Sequence, residues 1–151
     1  MIKEIKDNDL KKHITRNILR DLPEWFGIEE YTEDYIEKSA YYPFFAAYDD
    51  DLPVGFVYLK ETSPFTIEIY CMGVLKKYHL KGNGKKLMDY ISIYAKEKNY
   101  KFIQVKTVKQ GKYETYDKTN EFYRNSGFYE LEVFPDLWDK HNPCQVFVKA
   151  V

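Results

Sequence analysis

Cysteine is scarce: Cys71 and Cys144 are the only two in 151 residues. Two widely separated thiols make neither a disulfide framework nor a metal site. Each falls within an apolar stretch, where a free cysteine behaves as a small buried hydrophobe. No apolar run approaches the roughly 20 residues that a membrane span requires. The segment Met1-Ile-Lys-Glu-Ile5 alternates charge with apolar residues and has no signal-peptide core. A reducing cytoplasm is therefore the expected setting. Neither sign of charge is in excess, since 23 basic residues stand against 24 acidic ones, for a net charge of −1. That removes the bulk-charge argument for a nucleic acid or a membrane surface as partner. Seven glycines and six prolines form no linker, and no repeat or low-complexity tract divides the chain. Residues 1–151 read as one domain.

Aromatic residues are plentiful, at 18%, with 15 Tyr, 10 Phe and 2 Trp. Together with 44% hydrophobic residues they supply a core without staples. The pattern predicts a short edge strand at Ile2–Ile5. A helix follows, capped by Asp7 or Asn8, with Leu10, Ile14 and Ile18 at helical spacing, and Pro23 stops it. A second helix starts near Glu29. Phe44–Tyr48 and Val54–Lys60 read as a hairpin around the polar turn Asp49–Pro53. Phe65–Val74 reads as a strand with Ile67, Ile69 and Cys71 on one face and Glu68, Tyr70 and Met72 on the other. A helix runs from Gly82-Asn83-Gly84 to Lys98, with Leu87, Met88, Ile91, Tyr94 and Ala95 in one stripe. Phe102–Val108 is the next strand, and Gln110–Lys118 a long polar loop. A short helix at Thr119–Ser126 ends at Gly127, and strands follow at Phe128–Phe134 and Gln145–Val151. The fold class is mixed α/β.

The segment from Val74 to Met88 carries the strongest chemical signal. It joins a strand to a helix through a glycine-containing turn, with Lys76, Lys77, Lys81, Lys85 and Lys86 and no acid between its ends. Free N–H groups and the helix dipole favour an anion at such a junction, and glycine lets the backbone approach a phosphate. The dinucleotide fingerprint fails because Leu87 stands where its third glycine belongs. The P-loop fails at His79 and Lys86. The competing reading is a helix start with a solvated basic face.

His79-Leu-Lys-Gly82-Asn83-Gly84 resembles the Arg/Gln-x-x-Gly-x-Gly/Ala signature with which GNAT N-acetyltransferases bind acyl-CoA. His79 replaces the usual Arg or Gln. Downstream, Phe122-Tyr-Arg-Asn-Ser-Gly-Phe128 is similar to the Phe-Tyr-x-x-x-Gly-Phe segment of the same superfamily. The likeness covers roughly Glu68 to Phe128. It implies a mixed, mostly antiparallel sheet flanked by helices, with two central parallel strands, Phe65–Val74 and Phe102–Val108, splayed at one end. It implies acetyl-CoA as co-substrate, without a metal. The pyrophosphate would lie on amides from Lys81 to Lys86, with His79 nearby. The pantetheine arm would pair with Met72, Gly73 and Val74 like an added strand, and an amide near Met72 or Gly73 would polarise the thioester carbonyl.

The same resemblance suggests catalytic roles. A lysine-like amine, with a pKa near 10.4, must lose a proton before it attacks. Glu68 is the candidate base, because Glu68–Val74 is similar to the strand that carries the base in the histone-acetylating branch. The competing reading is a solvent-facing acid on a strand. Tyr123 is the candidate acid that protonates the departing CoA thiolate, against the alternative of a core aromatic. Where many relatives carry an Asn that touches CoA, this chain has Tyr116, with Asn120 nearby, so both are candidate CoA contacts. Trp25, Phe26, Tyr31 and Tyr35 are candidates to line the acceptor pocket or to sit in the core. The resemblance implies direct acetyl transfer in a ternary complex to an amine of a small molecule, peptide or protein. A cationic acceptor is hinted at by Glu29, Glu30, Glu33, Asp34 and Asp49–Asp51. A homodimer is left open. The alternatives are a non-catalytic acyl-CoA-binding sensor or regulatory module, and an unrelated nucleotide binder.

Overall fold

The computed structural model describes all residues, Met1–Val151. Asp7 ends strand β1 (Ile2–Ile5) and caps helix α1 (Asn8–Arg20), its carboxylate accepting the N–H groups of Asp9 and Leu10 at 2.9 and 3.1 Å. Ile14, Ile18 and Leu19 form the buried stripe of α1, whereas Leu10, one turn earlier, is exposed. Helix α2 (Glu29–Lys38) continues as one tighter turn at Ser39–Tyr41. Strands β2 (Phe44–Asp49) and β3 (Leu52–Ser63) form the hairpin that the sequence predicts, and β4 (Thr66–Val74) follows. Next come helix α3 (Asn83–Glu97) and strand β5 (Phe102–Val108). Helix α4 (Glu114–Asn125) and strands β6 (Tyr129–Asp139) and β7 (Asn142–Ala150) complete the chain.

The seven strands form one mixed sheet in the order β1-β2-β3-β4-β5-β7-β6. The β1–β2, β2–β3, β5–β7 and β6–β7 pairs are antiparallel, and β4–β5 is parallel. The β4–β5 ladder joins Thr66–Ile69 to Phe102–Val105.

Contacts along the chain gather into two units. One comprises Met1–Lys60 and Tyr70–Ile93, the other Glu61–Ile69 and Tyr94–Val151. In the first, alternation on the hairpin assigns a sheet face to each helix. Phe44, Phe56 and Tyr58 join Ile14, Ile18 and Leu19 in one cluster, while Phe45, the neighbour of Phe44, meets Tyr90 of α3. In the second, Tyr123 of α4 packs on Phe128 and on Phe147 of β7. Strand β6 is exposed along almost its whole length, Leu131, Phe134, Leu137 and Trp138 included.

Two expectations need correction. The polar stretch ahead of Thr119 is not all loop, because α4 already begins at Glu114. Nor does β4 keep a regular pleat. Tyr70 and Cys71 are sequence neighbours, yet both pack into the cluster that holds Tyr58, and the Tyr70 ring stacks on Tyr58 at 5.7 Å. A regular strand sends successive side chains to opposite faces, so the alternation breaks between these two residues.

Candidate active site

The lysine-rich turn lies within the first unit. After β4 ends at Val74, one tight turn at Lys76–Tyr78 leads to His79. Leu80 and Gly82 both take positive φ, 60° and 84°. Leu80 pays for this conformation in strain, and glycine adopts it freely. Turns of this kind curve successive N–H groups into a concavity that suits an anion. The Lys86 N–H reaches back to the Gly82 carbonyl at 3.0 Å, so the amides of Asn83, Gly84 and Lys85 precede the helical ladder. A Cβ built on Gly82 would meet nothing within 4 Å, so the turn is open to a ligand.

His79 braces this turn. Its Nε2 lies 2.6 Å from the Val74 carbonyl oxygen, and its ring meets the edge of Trp25 at 5.9 Å. The lysines divide into two groups. Lys76 pairs with Glu24, and Lys85 with Asp89 at 2.8 Å. The Lys76 ammonium holds the Glu24 carboxyl below the usual carboxylate range. Lys77 and Lys81 instead hold their ammonium groups over the Tyr78 ring, at 5.8 and 5.5 Å, and Lys86 is exposed. The absence of acids between Val74 and Met88 is thus offset by acids from elsewhere in the chain.

The end of β4 is closely packed. A Cβ on Gly73 would lie 3.1 Å from Ile18 and from Leu22, and 3.3 Å from Phe56. Met72 and Val74 on either side are half-buried.

Four further candidates belong to the second unit. Glu68 is 5% exposed, and its Oε1 takes both a hydrogen bond from Gln104 Nε2 at 2.8 Å and an ion pair with Lys106 Nζ at 3.2 Å. It is therefore no solvent-facing acid. Nothing in the linear sequence points to Gln104 or Lys106. The parallel register does, because Glu68 stands opposite Gln104.

Tyr116, Asn120 and Tyr123 fall at i, i+4 and i+7 on α4 and so share one face. Burial, with Tyr113 adding to it, pushes the Tyr116 phenol up. Tyr123 is 7% exposed, with the rings of Phe122, Phe128 and Phe147 at 5.4, 5.7 and 5.9 Å. Asn120 is wholly buried, and its Nδ2 donates to the carbonyls of Val108 at 2.9 Å and Tyr116 at 2.7 Å. This ties α4 to the end of β5. Its Oδ1 has no hydrogen-bond partner.

No group of three or more His, Cys, Asp or Glu is placed to hold a metal ion. No helix is long and apolar enough to cross a membrane.

Solved structures share this architecture. Ard1 from Thermoplasma volcanium superposes with a TM-score of 0.80 at 16% identity, over 100% of this chain and 97% of its own. The aminoglycoside 6'-N-acetyltransferase from Enterococcus faecium gives 0.77 at 20% identity, over 99% and 96%. A GNAT family acetyltransferase from Elizabethkingia anophelis, with acetyl-CoA bound, gives 0.76 at 16% identity, over 100% and 97%. At such identities the likeness is one of fold. No curated protein sequence matches the chain. The acetyltransferase (GNAT) domain family matches residues 40–130, which is more than half of the chain and includes the turn, β4 and α4. On that match, the protein belongs to the GNAT acetyltransferase family.

Proposed function

We propose that residues 1–151 form an acetyl-CoA-dependent N-acetyltransferase. It moves the acetyl group to a primary amine by direct attack in a ternary complex. The observation that carries this reading is the turn from His79 to Lys86. Its positive-φ backbone and unpaired helix-start amides suit a diphosphate, and the Lys81 and Lys86 ammonium groups add charge. The β4 backbone at Met72, Gly73 and Val74 offers hydrogen-bonding groups to the pantetheine amides, in the manner of an added strand.

The chemistry follows from the remaining groups. The amine nitrogen attacks the thioester carbonyl carbon, the new C–N bond forms and the C–S bond breaks. Glu68 takes the proton that the amine loses, directly or through a water, and Tyr123 gives one to the departing thiolate. A β4 amide near Met72 or Gly73 stabilises the oxyanion between these events.

The test measures thiol release from acetyl-CoA over a panel of amines, together with acetyl-CoA binding by calorimetry. Tyr123→Phe and Glu68→Gln are each expected to lower kcat by about 100-fold while acetyl-CoA still binds. Binding with no turnover in the wild type would instead indicate a non-catalytic acyl-CoA module. No heat with any CoA ester would end the reading.

A further inference from the structure

The acceptor's chemical class can be argued from an aromatic wall beside β4, all of it within the first unit. The Tyr70 ring stacks on Tyr42 and Tyr58 at 5.7 Å each and meets the edge of Tyr35 at 5.9 Å. Tyr58 lies in the core with its hydroxyl given to the Tyr35 carbonyl, whereas Tyr35, Tyr42 and Tyr70 are half-buried. Tyr70 stands two residues before Met72 on β4. An acceptor lying on this wall would hold its amine close to the end of β4.

The charge around the wall is specific. Lys38 Nζ donates to the Tyr70 hydroxyl at 3.0 Å, and Lys60 holds its ammonium 5.6 Å over the Tyr70 ring with no carboxylate paired to it. Rings attract cations, but here the chain's own ammonium groups already occupy that role. Of the acids that hinted at a cationic acceptor, Glu30, Asp50 and Asp51 are exposed, and the other four are engaged locally. Glu29 and Glu33 bind Arg20, Asp34 binds Lys38, and Asp49 receives the Tyr78 hydroxyl. At the wall itself, the charge left without a carboxylate partner is that of Lys60.

We propose that the wall of Tyr35, Tyr42 and Tyr70, with Lys60 at its edge, selects an amine that carries a flat apolar body and an anionic group, and disfavours polycations. This rests on the acetyltransferase reading. Lys60 is the specificity-determining residue, attracting the acceptor's carboxylate while the ring lies against the tyrosines.

The test uses matched amines with acetyl-CoA: tyrosine against tyramine, 4-(aminomethyl)benzoate against benzylamine, and spermidine as the polycation. In the wild type the acid-bearing member of each pair should show at least about tenfold higher kcat/KM, and spermidine should be the poorest acceptor. Lys60→Glu should reduce the ratio within each pair by about tenfold or more. Lys60→Gln, which removes the charge with little change of shape, should fall between the two. Equal rates within the pairs, preference for spermidine, or ratios unmoved by Lys60→Glu would overturn the proposal. So would calorimetric binding of acetyl-CoA with no turnover of any of these amines, although acyl-CoA binding would then stand. A protein that binds no CoA ester would instead fail at the acetyltransferase reading itself.

Discussion

A carbonyl oxygen only accepts hydrogen bonds, so the Nε2 that faces Val74 at 2.6 Å must carry the hydrogen. Both the neutral ring with its proton on Nε2 and the imidazolium satisfy this, so the brace survives a change of protonation. His79 therefore does structurally what a longer Gln side chain can also do: it donates one N–H to the strand end that leads into the turn. His79→Gln should leave the KM for acetyl-CoA within about twofold of wild type, and His79→Ala should raise it about tenfold, the scale of one net hydrogen bond near 1 kcal/mol. Initial rates over an acetyl-CoA series, with kcat recorded alongside, check this. A fall in kcat with KM unchanged would assign His79 to the chemistry instead.

At the scale of an element, the end of β4 leaves little room for change. The side chains nearest a Cβ at Gly73 belong to Ile18, Leu22 and Phe56, all buried, so they cannot swing into solvent to make space. Gly73→Ala should destabilise the protein by about 1–3 kcal/mol, the range for overpacking, and should also weaken acetyl-CoA binding because it displaces the strand end. Denaturant melts and calorimetry measure the two effects separately. Helix α4 shows why some elements escaped the sequence. Its first turns carry Glu114, Asp117 and Lys118, and its inward face is made of Tyr116, Asn120 and Tyr123, without an aliphatic stripe. Periodicity searches look for aliphatics, so the helix showed itself only from Thr119 onward. The acids in its first turn, favourable to the helix dipole, were the missed signal. In the same way β6 passes beyond Phe134, through Pro135, by shifting its register.

Over the whole molecule, what could be read early was what lies close together in sequence. The hairpin, the lysine turn and the Phe-Tyr-x-x-x-Gly-Phe segment are each local, and their order already resembled the family. What stayed hidden depends on distant pairing. Lys76 finds its partners in Glu24 and Asp21, and Glu68 finds Gln104 and Lys106 through the parallel ladder. No spacing rule along a single chain encodes such meetings. The two cysteines carry a practical corollary. Cys71 is 4% exposed and Cys144 is fully buried. Burial pushes the Cys71 thiol up and the Cys144 thiol up to about 11. Since the thiolate is the reactive form, neither should combine with a sulfhydryl dye in neutral buffer while the protein is folded, whereas both should do so after denaturation. A dye titration before and after denaturant would count them. Colour that develops during turnover then belongs to liberated CoA, and the protein supplies its own clean baseline for the assay that judges it.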